Sequence, residues 1–379
     1  MGGPMSRDDS EAVERVVDGR TWEEFCDALK AAGSVVLAED TPRDPMVRAE
    51  GWRYLSRLTR AALETFVEAS DAQAPQFQQT TGPTVKMGMD NPDNIYLNAP
   101  VNGSHRYEIT GRRGTVHYLG FGTQAGNYGS TGSLNTTGSL DASNMKIEAD
   151  GSFRIVASVE DPADGSNWLP MQPETRMIQI RQTRVEHRKE TLAQVDIRRI
   201  DGPGKPRPLE PVRLDRMLQG AAGFVRGCSV LFKSWADGFG EHVNRLPRFS
   251  PEKASAAGGD PNIAYYHSAF RIEPDEVLVI EATPPECDYW NFQLANYWLE
   301  SLDYRFHDIH LNKGTAVEAA DGSVRIVIAH EDPGCANWLD PCGHVEGTMC
   351  WRWVRAESHP EPTCRLLKLA EFKQESGNE

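Results

Sequence analysis

The chain repeats itself, and that repeat limits its architecture more than any other feature. Residues Asp150 to Pro162 read DGSFRIVASVEDP and Asp321 to Pro333 read DGSVRIVIAHEDP, nine identities in thirteen positions at a constant offset of 171 residues. Chance would give about one. One deletion later, Asn167, Trp168 and Leu169 meet Asn337, Trp338 and Leu339, and Phe121 with Gln124 echoes Phe292 with Gln293. A module copied this closely folds the same way twice. Each copy offers an Asp-Gly hairpin turn, an alternating strand and an Asp-Pro turn whose Trp can plug a sheet edge. The expected fold is mainly β with helical additions: two related β-sandwich units, jelly-roll-like, from internal duplication.

Around the repeat the chain divides into four stretches. Residues 1–82 read as an N-terminal helical region, in which Thr21 can cap a helix with Glu24 three positions later. A second helix from Asp44 to Ala69 carries a stripe of Met46, Trp52, Leu55, Leu58, Ala62, Phe66 and Val67. Residues 83–200 form the first sandwich, with strand-like runs such as NIYLNAPV, TVHYLGFGT, NMKIEADG and RMIQIRQT. Residues 201–260 are a linker holding a Pro-rich hinge and an amphipathic helix built on Leu214, Leu218, Ala221, Phe224, Val225, Cys228, Leu231 and Trp235. Residues 261–379 form the second sandwich. The Gly, Ser and Thr-rich stretch from Gly122 to Ser143 reads as a long loop, which in a functional setting would be a lid over a pocket.

A net charge of −15 and a pI near 5.2 repel phosphate backbones and anionic lipid, so nucleic-acid and membrane partners are disfavoured and a small molecule fits better. No apolar run has the roughly 20 residues of a membrane span, and the N-terminus lacks a signal-peptide core, so a cytoplasmic location is expected. Homodimerisation through exposed edge strands is compatible with the pattern. Seven cysteines without a CxxC pair argue against a disulfide framework or structural zinc.

Chemistry is expected where the copies differ. Both keep Asn-Trp-Leu, so Asn167, Trp168, Asn337 and Trp338 read as structural. His267, His307, His310, His330 and His344 lie in the second copy, and YRFHDIHLN gathers Tyr304, Arg305, His307, Asp308 and His310. His307 and His310 are candidate acid-base residues, with Arg305 to hold an oxyanion. No cofactor is expected; a metal ion is the lesser alternative, since His307 and His310 face opposite sides on a strand and meet only on a helical turn, and the absence of His-x-His argues against a bicupin site. Glu281 alternates onto the face of Val277 and Val279, where an apolar setting would raise its pKa and suit a general acid. Tyr266, His267, Tyr297 and Trp298, with Tyr265, Tyr289, Trp290 and Phe292 nearby, suggest a ring-lined pocket; the structural reading is core packing. In DNPDN, Asp90, Asn91 and Asp93 read either as a polar ligand site or as an Asx-turn. No GxSxG, GxxxxGK[ST] or HExxH motif is present.

The runs MGMDNPDNIYLNAPVNGSHRYEITG and YWNFQLANYWLESLDYR, each followed by DGS and NWL, resemble the paired bacterial domains of unknown function numbered twelve-fifty-four and twelve-fourteen, over most of residues 85–355. The resemblance implies tandem β-rich sandwiches with helical additions and carries no reaction. Its Asn-Pro-Asp-x-x-Tyr element falls on Asn91, Pro92, Asp93 and Tyr96, and its Asn-Tyr-Trp element on Asn296, Tyr297 and Trp298. The resulting expectation is a lyase, hydrolase or isomerase acting on a small, largely apolar oxygenated metabolite, with His307 or His310 as base and Tyr266 or Tyr297 as donor. Tyr304, His267, Trp298, Asp93 and Tyr96 would line its substrate pocket. The competing expectation is a noncatalytic ligand- or carbohydrate-binding β-sandwich.

Overall fold

The computed structural model describes residues 6–127, 134–256, 259, 260 and 262–376. Helix α1 (Arg7–Asp18) starts at Ser6, whose hydroxyl accepts from the Asp9 amide at 3.1 Å, with Asp8 and Asp9 favourably placed in the first turn. Gly19, left-handed at φ 89, turns it into α2 (Arg20–Ala32). Thr21 is therefore inside α2 and caps nothing; its hydroxyl donates to buried Asp215 at 2.6 Å. Asp44 caps α3 (Pro45–Leu63) by accepting from the Met46 and Val47 amides, with Pro45 preset for the first turn. The buried side of α3 is Val47, Tyr54, Leu58, Ala61 and Ala62, a rotation of the expected stripe that leaves Met46 and Trp52 exposed.

By packing, the chain falls into two units. The first comprises Met1–Val85, Asn94–Arg184 and Arg188–Leu231; the second comprises Lys86–Asp93, Val185–His187 and Phe232–Glu379. In the first, strands β1 (Gln78–Thr81), β2 (Asn94–Pro100), β3 (Tyr107–Arg112), β4 (Tyr118–Ala125), β5 (Asn135–Asp141), β6 (Ser152–Ser158), β7 (Asn167–Pro170), β8 (Met177–Thr183) and β9 (Gln194–Arg199) form two sheets, ordered β1-β2-β8-β4-β5 and β7-β6-β3-β9. Phe121, Ile178 and Ile180 of one meet Ile109, Ile155 and Ile197 of the other in a single core. Much of the Gly/Ser/Thr-rich stretch is thus strand rather than loop, because β5 pairs with β4; residues 128–133, the middle of the expected lid, lie outside the described residues. NMKIEADG, by contrast, is irregular chain and turn, with only Asn144 in the short helix Ala142–Asn144.

Helix α4 (Pro211–Phe239) buries Leu218, Ala221, Val225 and Cys228 as its pattern requires, and the short α5 (Pro251–Ala256) follows. The second unit then runs β10 (Ile263–Arg271), β11 (Glu276–Ala282), β12 (Tyr289–Ala295), β13 (His310–Asn312), β14 (Val324–Ala329), β15 (Trp338–Leu339), β16 (Glu346–Val354), β17 (Thr363–Lys368) and helix α6 (Leu369–Ser376). Its sheets, β10-β16-β12-β13 and β15-β14-β11-β17, repeat the strand order β2-β8-β4-β5 and β7-β6-β3-β9 of the first unit, without a counterpart of β1. The register repeats as well: Phe121 faces Ile180 as Phe292 faces Trp351, and Ile109 faces Ile155 as Ile280 faces Ile326. The duplication is therefore one of topology, not only of motif.

The shared motif has the same task twice. Gly151 and Gly322, at φ 83 and 79, make left-handed turns, and Asp150 and Asp321 each accept from the Ser amide two residues on at 3.0 Å. Asn167 donates to the carbonyls of Lys146 and Arg154, and Asn337 to those of Val317 and Arg325. The Trp168 and Trp338 indoles donate to the Ser158 and Ala329 carbonyls, fastening β7 and β15 as edge strands. These edges run parallel to β6 and β14, which departs from the wholly antiparallel sheets of a jelly roll. Among the described residues no helix is long and apolar enough to cross a membrane.

Candidate functional site

Strand alternation gives the β10-β16-β12-β13 sheet two unlike faces. One carries Tyr266, Trp290, Phe292, Met349, Trp351 and Trp353 into the core. The other presents Tyr289, Asn291 and Gln293 of β12, His310 and Asn312 of β13, Cys350 and Arg352 of β16, and His267 of β10. That polar face is buried too: Asn291, Gln293 and Asn312 are 0% exposed. Buried polar groups require partners: Asn312 Nδ2 donates to the Val185 carbonyl at 3.1 Å, and the partners of Asn291, Gln293 and Arg352 come from residues 86–93. Gln293 Nε2 donates to the Asp90 carbonyl at 2.8 Å, Asn291 Nδ2 to Asn91 Oδ1 at 2.9 Å, and Arg352 Nη2 to the Met89 carbonyl at 2.6 Å. Gly88 makes the close approach feasible: at φ 62, a Cβ there would lie 2.8 Å from the Phe232 ring.

The same segment is clamped at its other side. Lys86 Nζ donates to the carbonyls of Ser301 and Leu302 at 2.6 and 2.7 Å and lies 4.5 Å over the Tyr304 ring. Asp90 accepts from the Ser301 amide and hydroxyl at 2.9 and 2.8 Å. Burial raises the Asp90 carboxyl above its usual range, against the opposing pull of Lys86 and Ser301. The receiving turn is held by Asn296, whose Oδ1 accepts from the Trp298 and Glu300 amides.

Asp93, the last residue of the segment, is 0% exposed. Its Oδ1 meets His187 Nε2 at 2.6 Å and His310 Nε2 at 3.1 Å, and its Oδ2 accepts from the Tyr289 hydroxyl. Burial alone would raise the Asp93 carboxyl. The His310 charge and hydrogen bonds from His187, His310 and Tyr289 outweigh it and hold the group well below the carboxylate range. Desolvation, reinforced by the Asp93 charge, pushes the Tyr289 phenol well above its usual value, so it remains a donor. The imidazole side chains of His187 and His310 are 31% and 16% exposed, so the buried carboxylate sits behind two rings that solvent reaches. The ligating atoms of Asp93, His187 and His310 all lie within 4.8 Å of one another, a donor set suited to a divalent metal.

Of the residues expected from sequence, the structure brings together Asp93, His310 and Tyr304, the last edge-on to His310 with ring centroids 6.3 Å apart. Others lie elsewhere. His307 pairs with Asp340 at 2.7 Å on the surface, and Arg305 is engaged bidentately by Asp303. Glu281 does not face an apolar interior: it pairs with Arg325 at 2.8 Å and is 36% exposed, because its cross-strand neighbour is that arginine. Tyr266 is a core residue whose hydroxyl donates to the His359 carbonyl at 2.8 Å. Tyr297 donates to Asp237 at 2.6 Å, and Trp298 is packed inside. Tyr96 lies in the first unit, where its hydroxyl accepts from Asn94 Nδ2 at 2.9 Å. His267 is stacked on Phe239, with ring centroids 4.6 Å apart, and Nε2 stands 3.9 Å from Cys350 Sγ. In DNPDN the Asx-turn forms: the Asp93 amide donates to Asn91 Oδ1 at 3.0 Å, which aims Asp93.

Two members went unassigned. Tyr289 reads in sequence as one of the aromatic residues, yet alternation on β12 puts it on the same face as Gln293, and Gln293 is the residue paired with His310. His187 carries no local signal in RVEHRKE and reaches Asp93 across 94 residues of sequence.

Residues 97–182 and 273–354 both match the family described as a protein of unknown function, DUF1214. Both copies thus match the domain numbered twelve-fourteen, and the pairing with twelve-fifty-four is not shown. No curated protein matches the chain. An uncharacterised protein from Burkholderia cenocepacia is 49% identical in sequence, with a TM-score of 0.92 over 95% of this chain and 99% of that one. A Vibrio parahaemolyticus protein at 13% identity and TM-score 0.51, covering 84% of this chain and 98% of that one, shares the fold. The chain therefore belongs to the uncharacterised family that includes the Burkholderia cenocepacia protein, with the DUF1214 domain present in tandem.

Proposed function

We propose that the second unit is the catalytic half of an acid-base enzyme acting on a small oxygenated molecule, with chemistry of the lyase, hydrolase or isomerase kind. One observation carries this reading: the Asp93 carboxylate, wholly buried, is shared by two imidazoles that solvent reaches and by a tyrosine hydroxyl. A buried carboxylate orients an imidazole and stabilises its charged form, as proton transfer requires. Tyr289 holds Oδ2, leaving Oδ1 for the two rings. His187, the more open ring, meets the incoming molecule, and His310 stands beside it as the partner acid or base. Arg352 is a positioning residue: through Gln293 and the Met89 carbonyl it fixes the segment that ends in Asp93.

The test is a substrate panel of cyclic esters, β-hydroxy ketones and enolisable ketones, assayed with the wild-type chain and with His187→Ala and His310→Ala. General acid-base groups contribute about 10²- to 10⁴-fold, so each variant should lose at least about a hundredfold in kcat while keeping its melting transition. Turnover unchanged in both variants would remove the site from the chemistry. A compound bound without turnover, and released by His187→Ala, would make the unit a noncatalytic binding module instead.

A further inference from the structure

We infer that Asp93, His187 and His310 form a binding site for one divalent transition-metal ion of the Zn²⁺, Fe²⁺ or Mn²⁺ class. The inference deepens the functional reading above and rests on the same site. The donor set is two imidazole nitrogens and one carboxylate oxygen, which such ions accept, and it leaves coordination positions for water or substrate.

The spacing fits. Two ligands each about 2.1 Å from a metal, at angles between octahedral and tetrahedral, stand roughly 3.0 to 3.4 Å apart. Asp93 Oδ1 lies 2.6 Å from His187 Nε2 and 3.1 Å from His310 Nε2. All three donor atoms fall within 4.8 Å of one another, a spread that three ligands can close around one ion. Both rings already present Nε2 to the same point, from different elements: His310 from β13 and His187 from the 185–187 segment.

The surroundings also fit a metal ligand. Tyr289 donates to Oδ2, the oxygen that the two rings leave alone, which orients the carboxylate to bind through Oδ1. Asp93 is a buried anion, and a dication at Oδ1 compensates that charge. The partial exposure of His187 and His310 supplies the open side that separates catalytic metal sites from closed structural ones.

The molecule contains its own control. His307, Asp340 and Cys342 also bring ligating atoms within 4.8 Å of one another. There the third donor is a thiol in place of a second imidazole, so the two sets differ in chemistry. His307 is moreover 43% exposed and paired with Asp340 on the surface.

The experiment titrates the full chain, stripped with chelator, with Co²⁺ and Zn²⁺, following cobalt visible absorption and calorimetry. One equivalent should bind. Affinity should fall at least about a hundredfold in His310→Ala and in His187→Gln, and remain unchanged in His307→Ala. Tyr289→Phe should keep the stoichiometry and lose about ten- to a hundredfold in affinity, the size of effect seen when a ligand loses its orienting hydrogen bond. His187 is the most exposed member, so His187→Gln tests the site without emptying the core. Absence of saturable binding, or binding that follows His307→Ala rather than His310→Ala, overturns the inference. Turnover that resists chelator yet disappears in His310→Ala also overturns it while leaving the acid-base reading intact. One bound equivalent with no turnover upholds the metal site and removes the enzymatic reading instead.

Discussion

The two sheets ordered β2-β8-β4-β5 and β10-β16-β12-β13 are the same sheet twice, and the residues on their polar faces show what became of each copy. At matched register positions Arg181 corresponds to Arg352 and Tyr96 to Tyr265, and the guanidinium lies over the tyrosine ring in both, at 5.7 and 5.9 Å. Tyr118 corresponds to Tyr289. This much is inherited framework. Elsewhere the copies part: Gly120 and Gly122 stand where the second unit has Asn291 and Gln293, and Ser139 stands where it has His310. Two replacements add a hydrogen-bonding side chain where the first unit has glycine, the third puts an imidazole in place of a hydroxyl, and all three side chains contact the 86–93 segment. The difference teaches that the second unit acquired a cover for its polar face and the groups to hold it, with Asp93 delivered at the end of the cover.

The largest effect should follow from removing the group this difference is built around. Asp93→Ala leaves the Tyr289 hydroxyl and two imidazole N–H groups facing an empty, buried site. Breaking a buried charged pair in this way costs about 3 to 5 kcal/mol. Chemical denaturation should show the loss in the second unit's transition. Ser139→Ala, at the position matching His310, should change stability by less than about 0.5 kcal/mol. Equal costs at the two positions would mean that the faces are alike after all.

The comparison sharpens where the copies are expected to agree. Asn167 and Asn337 each donate two hydrogen bonds to carbonyls and accept one from an amide, Lys146 in one case and Val317 in the other. Replacing either by Ala strands three backbone groups, at a cost of about 2 to 3 kcal/mol. The two losses, measured by urea unfolding, should match within about 0.5 kcal/mol. A catalytic role for one Asn would appear as activity lost without this matched stability change.

A smaller, pH-dependent effect separates His267 from Asn98, its counterpart in register. His267 is enclosed by Phe239, Phe249 and Tyr265, and burial, aided by the Arg352 charge, lowers it from 6.5 to about 3. The folded state therefore holds a neutral ring that the unfolded chain protonates below pH 6.5. Stability from this group is whole above that pH and is lost as pH falls toward 3, reaching about 2 kcal/mol at pH 5. His267→Asn should flatten the fall in urea midpoint between pH 7 and 5 by that amount, whatever its cost at neutral pH. An unchanged slope would show that the ring is protonated inside the fold.

Sequence reasoning reached the framework and only half of the site, for a physical reason. DGS, EDP and NWL encode contacts closed within a few residues or one hairpin, so pattern alone exposes them. His310 was visible as an ionisable group set where the copies differ, and Asp93 as part of DNPDN. Their meeting was not visible, because it spans 217 residues and depends on residues 86–93 packing with the second unit instead of the sandwich that follows them in sequence. The proximity of His307 and His310 in sequence misled for the complementary reason. A tight turn with Phe306 and His307 bonded back to Asp303 exposes His307 before β13 begins, so the two rings serve different carboxylates.

The smallest effects test that separation. Glu281 and Arg325 face each other across β11 and β14, each partly solvated, and such exposed pairs contribute about 0 to 1 kcal/mol. Glu281→Gln should therefore move the urea midpoint barely at all, and His307→Ala, which releases only the surface Asp340, should do the same. Under the Asp93-centred reading both variants keep kcat within about twofold of wild type, while His310→Ala does not. The contrast is sharp because His307 and His310 are three residues apart and chemically identical; only their burial and their carboxylate partners differ. If His307→Ala were the variant to lose turnover, the second unit's chemistry would lie on its outer surface, and the polar face that distinguishes it from the first would be a device for stability alone.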